Sequence, residues 1–160
     1  MTYREDGKGF LDKFASYQSY REQAIDLIKK GSSSSIQEIV KDDLDMIDTQ
    51  MVFNAALNGD NLSLDIINEK ADLLGKAIIN IILILNPQII ILGGNIDKCE
   101  GVEPLLINKI KEEIRKIIPF KIPQIKLGLL KSDVVLIGAS LFAIEKNITG
   151  EFPYLGFTQK

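Results

Sequence analysis

A helix-rich α/β fold with one short parallel β-α-β unit is what this sequence predicts. Two observations lead there. The segment LLGKAIINIILILNPQIIILGGNI, which closes at Ile96, reads as a long apolar helix ending at Asn86-Pro87, then a buried strand from Gln88 to Leu92, then the pair Gly93-Gly94. Downstream, a strand at 88–92, a helix at 102–118 and a strand at 124–129 form a crossover unit, which favours parallel strands and a right-handed connection.

The elements follow in order. Residues 1–9 are polar and read as loop, and Phe10 to Lys30 is helical in pattern. In that span Phe14, Tyr17, Ala24, Ile25 and Ile28 lie near one face, a break near Ser16 leaves open whether it is one helix or two, and Gly31 is the stop. Ser35 followed by Glu38 has the spacing of a capping box for the segment beginning at Ile36. Asp48 opens a helix that Asn58-Gly59 closes, and Asp60 or Asn61 caps the long helix from Leu62 to about Leu85. The first half of that helix is amphipathic. Its second half is apolar on nearly every face, so it is expected to cross the middle of a core, with Asn80 needing a buried partner.

Val102 to Ile118 is amphipathic, with Leu105, Ile110, Ile114 and Ile117 expected inside and Pro104 in the first turn. Asp133 or Ser132 is placed to cap a last helix from Val134 to Glu145, and no period marks the tail from Asn147. Two strands leave an apolar edge and face unpaired, so the chain is expected to belong to a larger fold or to pair with another copy.

Composition limits the chemistry. The 160 residues suit one domain, and a net charge of −3 supplies no global basic field for nucleic acid or anionic lipid. The longest apolar run, Ala77 to Leu92, is too short to span a bilayer as a helix and is interrupted by Asn80, Asn86, Pro87 and Gln88. With no signal-peptide pattern, the expected location is the cytoplasm. The chain has no histidine and one cysteine, Cys99, which excludes Ser/His/Asp and Cys/His catalysis and the usual zinc ligand sets within it. Cys99 lies among Asp97, Lys98 and Glu100, without the positive surroundings that activate a thiolate, and reads as a loop thiol. The acidic group Asp42, Asp43, Asp45 and Asp48 reads as a solvated linker rather than a magnesium site.

Gly93-Gly94 sits where a strand opens toward a helix, a place where backbone approaches a ligand closely. Neither GxGxxG nor GxxxxGK[ST] is present, so spacing alone favours a structural turn. The small residues Gly138-Ala139-Ser140 favour close packing on the same ground.

The segment around Gly93-Gly94 resembles the signature of the ROK family (repressors, open-reading-frame proteins and sugar kinases). GDNLSLDIINEKADLLG is similar to that family's approach helix, IGASLFAIEKN to its closing helix, and GFLDKFAS, Gly9 to Ser16, to the family segment GCLEAYAS. The resemblance implies a partial actin-like (ribonuclease H-like) sugar kinase fold. The chain would be a single C-terminal lobe over 1–160, with a loop at 1–9, a folded core at 10–147 and a tail at 148–160. It implies an adenosine side, here vestigial, at Gly93, Gly94, Asn95 and Gly138, and a sugar contact at Asp12, where the family's glutamate is one methylene longer.

The family's CxCGxxGC zinc motif would end at Phe10, and every one of its cysteines is replaced, so no metal is expected. The phosphate motif DxGxT and the catalytic aspartate have no counterpart in the chain. The resulting expectation is a non-catalytic effector and oligomerisation domain of a ROK-type transcriptional regulator of sugar metabolism. It would self-associate, respond to a sugar, use no cofactor, and reach DNA only through an N-terminal domain outside this chain. The alternative is the C-terminal half of an ATP-dependent, glucokinase-like kinase that needs an N-terminal lobe; a pure oligomerisation module is the third reading.

Overall fold

Ser16 breaks the first helical stretch in two, giving α1 (Leu11–Ala15) and α2 (Tyr17–Lys29) in the computed structural model. The Ser19 hydroxyl fixes this break by donating to the carbonyls of Phe14 (3.0 Å) and Ser16 (2.7 Å). The structure describes residues 11–41, 43–129 and 134–149, with only the backbone described at Asp12 and Val134. The expected zinc-motif positions up to Phe10 and the expected caps Ser132 and Asp133 lie outside the described residues. Contacts divide the chain into two compact units, residues 1–128 and 129–160.

In the first unit, α3 (Ser35–Val40) follows α2, and its cap lies one residue earlier than the spacing suggested. Ser34, not Ser35, is the extended residue before the helix. Its hydroxyl accepts from the Ile36 N–H (3.2 Å), while its own N–H donates to Gln37 Oε1 (3.1 Å). Only a residue still in extended conformation can turn its side chain back over the first helical turn, which is why Ser34 takes the role. A short 3-10 turn, Leu44–Met46, leads to α4 (Thr49–Leu57). Asp48 caps α4 through the Met51 N–H at 2.7 Å, as the sequence predicts.

The long helix α5 (Asn61–Leu85) starts at Asp60, which accepts from the Ser63 N–H at 2.9 Å. Asp60 also accepts from Ser35 N–H (2.8 Å) and Ser34 Oγ (3.0 Å), so one carboxylate ties the starts of α3 and α5 together. Asn86 ends α5 in the left-handed region at φ 43°.

β1 (Ile89–Leu92) follows α5. A 3-10 turn (Asn95–Lys98) and a π-helical turn (Val102–Ile107) then lead into α6 (Asn108–Ile117) and β2 (Gln124–Leu127). Pro104 contributes no N–H to the π-helical turn. The strands pair in parallel, Ile89 with Gln124 through Leu92 with Leu127, as the crossover predicts.

The core lies where α2, α4, α5 and α6 meet, around Tyr20, Phe53, Ile66, Ile67, Ile82, Ile110 and Ile114. Each aliphatic side chain fully buried there contributes about 1.5–3 kcal/mol of apolar transfer. Tyr20 and Phe53 pack ring to ring at 5.3 Å between centroids. Lys70 lies buried in α5 with its ammonium 6.0 Å from the Tyr20 ring centroid. Gly75 allows α6 to approach α5, since a Cβ there would meet Glu113 Cβ at 3.2 Å.

Two expectations about burial are corrected. The second half of α5 does not run through the middle of a core. Ile78, Ile79 and Ile82 are buried, but Leu83, Ile84 and Leu85 are 60%, 78% and 71% exposed, and Asn80 is exposed as well and needs no buried partner. Among the described residues the helix is covered on one side only, and an all-apolar pattern cannot tell one covered side from two. Ile117 is exposed rather than inside, because the chain leaves the helix at Ile118 and that side chain takes the inward position.

The second unit contains α7 (Val134–Ile148). Within it Ser140 Oγ donates to the Leu136 carbonyl (2.8 Å), and the Lys146 ammonium sits 5.6 Å from the Phe142 ring centroid.

Candidate functional site

The glycine turn after β1 opens onto a cavity of about 300 Å³. Leu92, Gly93, Gly94, Asn95 and Ile96 form one wall, and Ala15, Ser16, Tyr17 and Tyr20 at the α1–α2 break form the other. Leu74 of α5 and Leu106 of the π-helical turn complete the lining. Gly94 has φ 92° and ψ −162°, a conformation open essentially to glycine alone. A Cβ at Gly93 or Gly94 would meet nothing within 4 Å, so these residues leave room rather than fill it. Beside the turn, the Gly128 N–H donates to the Leu92 carbonyl at 2.8 Å, holding the exits of both strands together.

On the helical wall, the Thr49 hydroxyl donates to the Tyr17 carbonyl at 2.7 Å and anchors the start of α2. Tyr20 is 1% exposed, and its hydroxyl has no hydrogen-bond partner among the described residues. Burial drives the Tyr20 phenol far above its ordinary pKa, with Cys99 nearby adding to the effect. Burial first and Cys99 second also raise Tyr17. Cys99 is itself buried, and burial pushes its thiol upward, which keeps it protonated and unreactive near neutrality. The lining therefore offers neutral hydrogen-bonding groups and apolar walls, with no charged side chain among the described residues that form it.

The expected site residues divide. Gly93, Gly94 and Asn95 share the cavity. Gly138 is in α7, in the second unit, exposed and with open space where a Cβ would project. Asp12 lies in α1, and its side chain is outside the described residues. Sequence reasoning missed Ser16, Tyr17 and Tyr20 as cavity residues. The available signal was the helix break at Ser16 with aromatic residues one and four positions beyond it. Among the described residues no cluster of His, Cys, Asp or Glu is arranged to hold a metal ion, and no helix is long and apolar enough to cross a membrane.

Comparison with solved structures places the fold. A ROK family glucokinase from Streptomyces griseus, solved with glucose and AMPPNP, superposes with a TM-score of 0.73 at 21% identity over 86% of this chain and 45% of that one. A ROK hexokinase from Thermus thermophilus gives 0.63 at 17% identity, over 91% of this chain and 45% of the other. A ROK family transcriptional regulator, a homolog of the E. coli MLC protein, gives 0.62 at 26% identity over 79% of this chain and 31% of its own. The chain thus spans less than half the length of each. The fold is that of part of an actin-like sugar kinase, rich in helix around a short parallel two-stranded sheet. Curated protein sequences gave no significant match. The sequence pattern of the ROK family matches residues 29–146, a stretch that holds the long helix, both strands and the glycine turn, and the chain belongs to the ROK family.

Proposed function

We propose that this chain is a non-catalytic effector and oligomerisation lobe of a ROK-family transcriptional regulator of sugar metabolism. The observation that carries the reading is the cavity at Gly93-Gly94, lined by neutral and apolar groups. Phosphoryl transfer depends on metal ions, cationic donors and a group that orients the attacking hydroxyl. Ser16, Tyr17, Tyr20 and the glycine backbone instead suit an uncharged hydrogen-bonding ligand. In this reading Gly93, Gly94 and Asn95 keep the shape of an adenosine side without its use, Gly138 is a remnant of the same side, and Asp12 is the sugar contact. DNA is reached through a separate N-terminal domain, and the protein works in the cytoplasm as a homo-oligomer without a cofactor.

The superposition on the glucokinase, at a TM-score of 0.73, favours a second reading. In it the chain is the C-terminal half of an ATP-dependent sugar kinase, which binds ATP only with an N-terminal lobe.

The test is a coupled assay of the purified chain with ATP, magnesium and glucose or an N-acetylhexosamine. The expected result is no sugar-dependent ATP consumption. Sugar phosphorylation by the chain, or by the chain mixed with an N-terminal ROK kinase lobe, overturns the regulator reading in favour of the kinase.

A further inference from the structure

The cations around α6 fall into two groups. Lys109 pairs with Glu112 (3.5 Å) and Glu113 (3.6 Å), and Lys116 pairs with Glu113 (2.7 Å). Lys111 and Arg115, four residues apart and so on one face of the helix, belong elsewhere. Together with Lys126 of β2 they line a groove of about 410 Å³ between α6, β2 and the π-helical turn. Ile122, Pro123 and Ile125 give the groove an apolar side, and Gln124 and Glu103 complete it. Lys111 meets Glu103 at 3.2 Å, whereas Arg115 and Lys126 have no ion pair among the described residues.

Like charges four apart on a helix face disfavour the helix, and a third cation on the facing strand adds to the repulsion. An anion held among them removes that cost. The composition is that of a solvent-facing site: Arg115, Gln124 and Lys126 are exposed, and proline and lysine are the residues that guard a true sheet edge. Covering three cations with protein would require matching carboxylates. Residues 109–126 carry six Lys and Arg against two Glu in a chain of net charge −3, so this face attracts anions that the rest of the chain repels. The backbone adds an uncharged donor. The Gln124 and Gly128 N–H groups donate to the Gln88 and Leu92 carbonyls, so Ile125, between them in the alternation, turns its N–H away from β1.

We propose that this groove binds a small phosphomonoester of the size and polarity of a sugar phosphate. Three cations against one carboxylate leave a surplus of two positive charges in the lining. A phosphomonoester carries about −1.5 to −2 near neutral pH, which matches that surplus, whereas a single carboxylate ligand would meet only half of it. The Arg115 guanidinium can take two phosphate oxygens at once, with the Lys126 and Lys111 ammoniums as point charges beside it. The volume lies in the range of small-molecule sites, about 300–1,000 Å³. Ile122 and Pro123 offer a surface for the C–H face of a sugar ring, while the Gln124 amide and the Glu103 carboxylate can bond its hydroxyls. The groove shares no lining residue with the Gly93-Gly94 cavity, so the proposal stands apart from the choice between regulator and kinase.

The experiment is isothermal titration calorimetry on the full 160-residue chain at low ionic strength, with glucose 6-phosphate, inorganic phosphate and glucose as titrants. Arg115→Gln and Lys126→Gln are compared with Lys116→Gln, which removes the same charge from α6 outside the groove. Glucose 6-phosphate should bind more tightly than inorganic phosphate, more weakly as sodium chloride is raised, and without competition from glucose. Arg115→Gln and Lys126→Gln should each weaken it by roughly tenfold, and Lys116→Gln by less than about twofold. In the wild type, the backbone amide resonances of Arg115, Ile125 and Lys126 should shift on adding glucose 6-phosphate, which locates the site even if a variant is poorly folded. Absence of glucose 6-phosphate binding, inorganic phosphate binding as tightly, equal weakening by all three substitutions, or shifts confined to Gly93, Gly94 and Asn95 overturns the proposal. So does binding of mixed-sequence duplex DNA through Arg115 and Lys126 by a chain that does not bind glucose 6-phosphate.

Discussion

Alanine at Gly94 and alanine at Gly93 differ in one physical respect, and the pair isolates it. Both positions have open space where a Cβ would project, so neither substitution produces a clash. Gly94, however, is at φ 92° and ψ −162°, whereas Gly93 has no positive φ. Holding an L-residue in the Gly94 conformation costs about 1–3 kcal/mol. The lower entropy of the unfolded alanine chain returns about 0.4–1 kcal/mol in both variants. Gly94→Ala should therefore destabilise by roughly 1–2 kcal/mol, and Gly93→Ala should be neutral or slightly stabilising. With a urea m-value of about 2 kcal/mol/M, the midpoint of Gly94→Ala falls by roughly 0.5–1 M. Equilibrium urea denaturation followed by circular dichroism measures both. Equal midpoints for the two variants would refute the claim that the turn after β1 is held in a glycine-only conformation.

Tyr20→Phe removes a buried hydroxyl with no partner among the described residues, so it should stabilise the protein by about 1 kcal/mol; a loss of stability in thermal denaturation would mean the hydroxyl is satisfied. Ile114→Ala empties a fully buried position on α6 and should cost about 2–5 kcal/mol, read by the same urea titration. Asp60→Asn tests the shared cap. Burial pushes the Asp60 carboxyl upward, but the hydrogen bonds from Ser63, Ser35 and Ser34 outweigh it and leave the pKa below its ordinary value. A depressed folded-state pKa gives stability that is present above the unfolded value and lost as pH falls through the folded one. The wild type should accordingly lose more stability than Asp60→Asn between neutral and strongly acidic pH, and parallel pH profiles of the melting temperature would refute this. At neutral pH, Asp60→Ala should cost about 1–2 kcal/mol as a lost N-cap.

Half of the candidate site could be read from residues and half could not. Gly93, Gly94 and Asn95 announce themselves because a strand ending in paired glycines is a local pattern. Ser16, Tyr17 and Tyr20 do not, since their part in the cavity comes from the kink at Ser16, which Ser19 fixes, and from α2 lying across the exit of β1. Asp60 shows the same division. As the cap of α5 it is a sequence signal, but its grip on Ser34 and Ser35 joins residues about 25 positions apart and follows only from how α3 and α5 meet.

The sequence alone determined the order of elements, the helix starts at Asp48 and at Asp60 or Asn61, the stop at Asn86-Pro87, the parallel crossover and the family, because each depends on periodicity, capping or motif within a short span. Tertiary structure decided which side of α5 is covered, that Ile118 rather than Ile117 turns inward, and that Tyr17 and Tyr20 face the glycine turn. These depend on where neighbouring elements lie. An apolar side chain records that it needs a cover, but only its neighbours determine whether it has one.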